Sequence, residues 1–235
     1  MSQHVPVPVH ADMADTGGID WSDQSTAITA TTMAELAELA GRYPQARSAL
    51  VPMLHLVQSV DGRISPAGVR ACVEILQIPE SQVLGVATFY TQFRRTRGGR
   101  HHIGVCKTTL CAVMGGDEIM DRVRGQLGID DGETTADGMF SLEAVECNAA
   151  CDYAPVMMVD WEFMDNMTPE RASQVLSELA AGHPVQSTRG PVVPGWAANE
   201  RMLAGFDDGL ADQGPSAGEP SLAGLRIASS QGRVA

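Results

Sequence analysis

From residue 30 to about 93 the apolar positions recur every three or four residues, in four runs separated by turn residues. "TTMAELAELAGRYP" places Met33, Leu36, Leu39 and Ala40 on one helical face, with Thr31 or Thr32 able to cap the helix and Pro44 just past its end. "SALVPMLHLVQSVDG" is a second amphipathic run, with Pro52 tolerated in its first turn and Gly62 as its stop. "SPAGVRACVEILQI" opens on Ser65 as cap and Pro66 at the first helical position, and "IPESQVLGVATFYTQF" repeats the device with Pro79. Residues 30–93 therefore predict a small helical bundle, in which Phe89, Tyr90 and Phe93 are core or interface residues and Cys72 is a small buried hydrophobe.

The run "RRTRGGR" breaks this pattern with four arginines and two glycines and reads as a linker. Past it the period shortens toward two. "HHIGVC" reads as a strand that includes His101 and His102, "GGDEIMDRVRGQLGI" as a helix with Asp117 and Glu118 as its N-terminal charges, and "MFSLEAVEC" as a strand. "APVMMVD" followed by "WEFMDN" suggests a hairpin. "TPERASQVLSELAAG" is a helix capped by Thr168, with Pro169 in its first position and Gly182 closing it. The order β, α, β, β, α over 100–183 is that of a small layered domain, so the fold class is α+β. Residues 1–29 and 184–235, rich in Pro, Gly, Ser and Asp, are expected to be disordered or extended tails.

Composition narrows the function. A net charge of -13 disfavours a nucleic-acid partner, whose phosphates call for a basic face. No apolar run reaches the roughly 18 to 20 residues of a bilayer span, and the N-terminus lacks the basic start and apolar stretch of a secretory signal, so neither membrane insertion nor classical export is expected. The five cysteines are an odd number, which favours metal or redox chemistry over a disulfide framework.

Four of those cysteines fall in two pairs. Cys106 and Cys111 lie in "VCKTTLC", where a strand runs into a loop before a helix, and Cys147 and Cys151 lie in "ECNAACDYAP", after the next long strand. Structural zinc takes four thiolates, but CxxxxC lies at the edge of its usual loop spacing. Dithiol exchange prefers CxxC, which neither pair matches. Loops of this width suit an iron–sulfur cluster, whose two irons each take two thiolates. Four buried structural thiols are the remaining alternative. Lys107, the chain's single lysine, stands beside Cys106.

The runs "YPQARSALVPMLHLVQ", "VATFYTQF", "CKTTLC", "GETTADGMFSLEAVECNAACDYAPVMMVD" and "MTPERASQVLSELAAG" occur in an order that closely resembles the E subunit of bacterial NADH-quinone oxidoreductase, respiratory complex I, over roughly residues 40 to 183. The resemblance implies a helical N-terminal module followed by a thioredoxin-like domain whose [2Fe-2S] cluster is held by Cys106, Cys111, Cys147 and Cys151. Two positions depart from the family pattern: Lys107 stands where a small polar residue is usual, and Leu110 where a proline is. The function implied is that of a one-electron carrier in the NADH-oxidising module, without a complete active site of its own. FMN and NADH would be bound by a partner subunit, since the chain has no GxGxxG fingerprint. The other partner implied is the large iron–sulfur subunit, and the location implied is peripheral, on the cytoplasmic side of the cell membrane. The equivalent subunit of an NAD-linked hydrogenase or formate dehydrogenase, or a zinc-stabilised interaction module, are the alternatives.

Overall fold

The computed structural model describes residues 18–215 and 218–233. Contacts divide the chain into one unit up to Arg97 and a second from Gly98 onward.

In the first unit four helices follow one another: α1 (Ala30–Gly41), α2 (Leu50–Asp61), α3 (Pro66–Leu76) and α4 (Glu80–Phe89). Their apolar stripes meet in a core that includes Leu36, Leu54, Val57, Val69, Cys72 and Val83. The cap of α1 is Thr29, whose hydroxyl accepts the Thr32 N–H while Thr32 bonds back, so the threonines expected as caps lie inside the helix. Ser65 caps α3 through the Gly68 N–H at 3.0 Å, and Gly62 ends α2 with a left-handed φ of 70°. Phe93 is buried, whereas Phe89 is 77% exposed, so of the aromatic trio only Phe93 is a core residue and Tyr90 lies half out.

The expected N-terminal tail differs in part. Residues 1–17 lie outside the described residues, but 18–29 are tied to the bundle. The Asp61 carboxylate accepts the Ala27 N–H at 2.6 Å and the Thr26 hydroxyl at 2.8 Å, and Arg63 pairs with Asp23 at 2.6 Å. Polar side chains at the end of α2 hold a segment that has no apolar pattern to announce it.

The second unit is built on a sheet of order β2-β1-β3-β4. Its strands are β1 (His101–Cys106), β2 (Phe140–Val145), β3 (Met157–Val159) and β4 (Glu162–Met164). β2 pairs parallel to β1 with Cys106 level with Val145, and β3 and β4 complete the sheet antiparallel. Between β1 and β2 run the single turn α5 (Thr109–Cys111) and the helix α6 (Asp117–Leu127); α7 (Pro169–Ala180) follows β4. Alternate residues point to opposite faces. Ile103, Val105 and Leu142 accordingly join Met120 of α6 and Leu176 of α7 in one core, while His102, Gly104 and Cys106 face the other way.

That second face has a cover that sequence reasoning missed. The segment expected to be an extended or disordered tail from 184 carries α8 (Trp196–Leu203) and α9 (Glu219–Ser230). His102 lies 4.8 Å from the Trp161 ring and 5.1 Å from the Trp196 ring, centroid to centroid. Trp161 donates to Glu200 at 3.2 Å, and Asn199 donates to the Asp160 carbonyl. Asp160 in turn accepts the His102 N–H at 2.6 Å and pairs with His101 Nδ1 at 2.7 Å. One strand face of His and Gly gives no apolar signal, and the residues that cover it are mostly polar, which is why the pattern hid the contact.

Candidate metal centre

Cys106 ends β1, where its N–H donates to the Val156 carbonyl at 3.1 Å and fixes the strand end against the chain entering β3. Cys111 closes α5, and the wide turn Ala112–Gly116 that follows returns the backbone beneath both cysteines. Gly116 is essential to that approach: a Cβ there would lie 2.8 Å from the carbonyl oxygens of both Cys106 and Cys111. Gly115 supplies the left-handed step, with φ 109°. Cys147 and Cys151 lie in the loop after β2. Because β1 and β2 run parallel, the two cysteine loops leave the same end of the sheet.

The four thiols meet in their sequence pairs. Cys147 Sγ and Cys151 Sγ are 3.7 Å apart, close to the roughly 3.8 Å that two sulfurs span on one tetrahedral metal with metal–sulfur bonds of about 2.3 Å. Cys106 and Cys111 lie near enough to raise one thiol through the other, and both interact electrostatically with Cys151. Backbone amides serve the sulfurs: Ala149 N–H donates to Cys147 Sγ at 3.3 Å, and the Val156 backbone eases the ionisation of Cys111. Such bonds favour thiolate, the form that binds metal. Burial pushes the Cys111 thiol up to about 11, with Cys106 adding to the rise, while the hydrogen bond to Cys147 raises Cys151. Neighbouring sulfurs that resist ionising together are relieved by a bound cation.

Burial differs between the pairs. Cys106 and Cys111 pack with Val145, Ala154 and Val156 in a small apolar cluster, whereas Cys147 and Cys151 are exposed. Among the described residues no three His, Cys, Asp or Glu side chains gather as the ligands of a single ion would. Two pairs of thiols, each pair able to serve one iron, fit the donor set of a two-iron cluster.

The model of the thioredoxin-like [2Fe-2S] ferredoxin family matches residues 36–180. The chain belongs to that family. Within it, the E subunit of NADH-quinone oxidoreductase from Mycobacterium tuberculosis (strain ATCC 25618 / H37Rv) is 50% identical over 191 residues, which cover 81% of this thioredoxin-like ferredoxin and 76% of the relative. The E 2 subunit of NADH-quinone oxidoreductase from Rhizobium meliloti (strain 1021) is 36% identical over 157 residues, 66% of this chain and 94% of its own. Among solved structures, an NAD+-reducing [NiFe]-hydrogenase in the air-oxidized state superposes with a TM-score of 0.52 at 19% identity. That match covers 57% of this chain and 23% of the hydrogenase chain, and it is a likeness of fold.

The remaining sequence candidates lie apart from the thiols or beside them in structural roles. Cys72 is fully buried in α3, where burial pushes its thiol up to about 12. His101 and His102 are strand residues engaged with Asp160 and the tryptophans. Asp117 and Glu118 occupy the first turn of α6. Lys107 turns to Asp117 at 3.5 Å on the surface. Gly116 escaped sequence reading, although a Gly-Gly step soon after a CxxxxC pair is a legible sign of close backbone approach.

Proposed function

We propose that this ferredoxin is the one-electron carrier subunit of the NADH-oxidising module of an NADH-quinone oxidoreductase, with Cys106, Cys111, Cys147 and Cys151 as the ligands of its [2Fe-2S] cluster. The observation that carries the reading is two thiol pairs on loops at the same end of the sheet, in a chain half-identical to an NADH-quinone oxidoreductase subunit. Bound there, a [2Fe-2S] cluster supplies reversible uptake of one electron without bond breaking. The chain's own residues do the rest. The four thiolates would hold the metal, the Ala149 amide, with the Val156 backbone, would offset part of the sulfur charge, and the apolar packing around Cys106 and Cys111 keeps water from that side. The exposed Cys147–Cys151 side is left to face a partner.

NADH and FMN belong to that partner, because the chain carries no dinucleotide fingerprint. The proposed neighbours are the flavin- and NADH-binding subunit and the large iron–sulfur subunit beside it, in a complex held at the cytoplasmic side of the membrane. No helix among the described residues is long and apolar enough to cross a membrane. The hydrogenase likeness is one of fold and favours no second reading.

Anaerobic purification tests the proposal. Brown protein with equal iron and labile sulfide, copurifying with a flavoprotein subunit, is the expected result. A colourless protein containing zinc would overturn it.

A further inference from the structure

Arg189, from the segment beyond the family match, reaches the turn that carries Cys151. Its guanidinium grips Asp165 through two bonds, Nε to Oδ2 at 2.7 Å and Nη2 to Oδ1 at 3.0 Å, and Nη2 lies 3.7 Å from Asp152 Oδ1. It also lies over two rings, with centroids 4.8 Å away for Tyr153 and 4.7 Å for Phe163. Asp152 and Tyr153 directly follow Cys151 in the same short helical turn, and Phe163 packs on the apolar cluster that contains Cys106 and Cys111. Thr188 adds a second tie, its N–H and hydroxyl both donating to the Phe163 carbonyl at 2.8 Å. The arginine side chain is only 19% exposed and that of Asp165 6%.

A planar fork bound to a carboxylate and placed over two aromatic rings is a stiff brace, and its charge stays fixed at every working pH. Without it two carboxylates, one of them adjacent to Cys151, would keep only neutral donors, Ser221 on Asp152 and Thr188 on Asp165, and no cation. A centre that becomes more negative on reduction is held oxidised by nearby anions and eased toward reduction by a nearby cation.

We infer that Arg189 is a positioning and potential-setting residue for the cluster: it braces the Cys151–Tyr153 turn and offsets Asp152 and Asp165, so that the electron is accepted more readily. The inference rests on the function proposed above, which iron and sulfide content checks separately from the potential.

The test is a redox titration followed by EPR on the anaerobically purified full chain and three variants. Arg189→Gln is expected to keep wild-type iron and sulfide and to lower the equilibrium for reduction about tenfold, which is about 59 mV for one electron. Arg189→Lys, which keeps the charge and loses the fork, is expected to stay nearer to wild type. Asp152→Asn, which leaves the Arg189–Asp165 brace intact, is expected to raise the potential, and it carries the test if Arg189→Gln fails to hold its cluster. An unchanged potential in a fully loaded Arg189→Gln, or in Asp152→Asn, would overturn the inference. Wild-type protein without iron and sulfide would instead overturn the proposed function.

Discussion

Each of the four proposed ligands has a different setting, but replacing any one thiolate by a hydroxyl gives iron a harder, poorer ligand. Cys106→Ser, Cys111→Ser, Cys147→Ser and Cys151→Ser are therefore expected to lose iron and sulfide or to change the EPR spectrum. Cys72→Ser, in the core of the helical unit, is expected to keep both. Retention of the cluster in Cys147→Ser with loss in Cys72→Ser would reverse the assignment. Gly116→Ala probes the backbone under the site. The added methyl meets carbonyl oxygens rather than a movable side chain, so a cost of about 1–3 kcal/mol and weaker cluster retention are expected, read by denaturant unfolding and iron content. The cysteines were legible because their spacing is a property of the chain alone. The Gly-Gly step at Gly116 was a legible sign left unread, and Arg189 was not legible, because the residues it touches lie far from it in sequence and are met only in the fold.

Among the elements, those that announce themselves carry their own punctuation. Thr168 caps α7 by accepting the Arg171 N–H at 3.2 Å, with Pro169 in the first turn, and the helix lies where its sequence places it. Thr168→Ala is expected to cost about 1 kcal/mol of stability, seen as a lower denaturant midpoint with an unchanged slope. Leu176→Ala, in the core under the sheet, should cost more, about 2–5 kcal/mol. Equal costs for the two would show that the cap and the core had been wrongly ranked. The start of α1 was harder to read because Thr29, Thr31 and Thr32 crowd one turn, and only the reciprocal bonds between Thr29 and Thr32 select the cap. The α8 segment was illegible for another reason. Its buried residues, Trp196, Asn199 and Glu200, do not form an apolar stripe; they meet a histidine, an indole N–H and a backbone carbonyl that lie far away in sequence.

At the scale of the whole molecule, the two units divide the work. All four proposed ligands lie in the second, and we propose that the helical unit docks the chain on the proposed flavin-bearing partner, so a fragment beginning at Gly98 is expected to bind its cluster yet fail to copurify with that subunit. A fragment that binds that subunit as tightly as the full chain would refute the docking role. The main core of the second unit, from Ile103 to Val185, contains no sulfur of the site. Chain grown without iron is therefore expected to keep its far-UV circular dichroism and slow exchange of the β1 and β2 amides. Loss of both would make the metal a condition of folding. The uneven burial of the cysteines then bears on the order of manufacture. The inner pair comes into position with β1 and its following turn, while the outer pair stays open to solvent. On the proposed assignment, iron and sulfide would reach the site from the Cys147–Cys151 side, the side open to solvent, against a sheet whose main core stands without them.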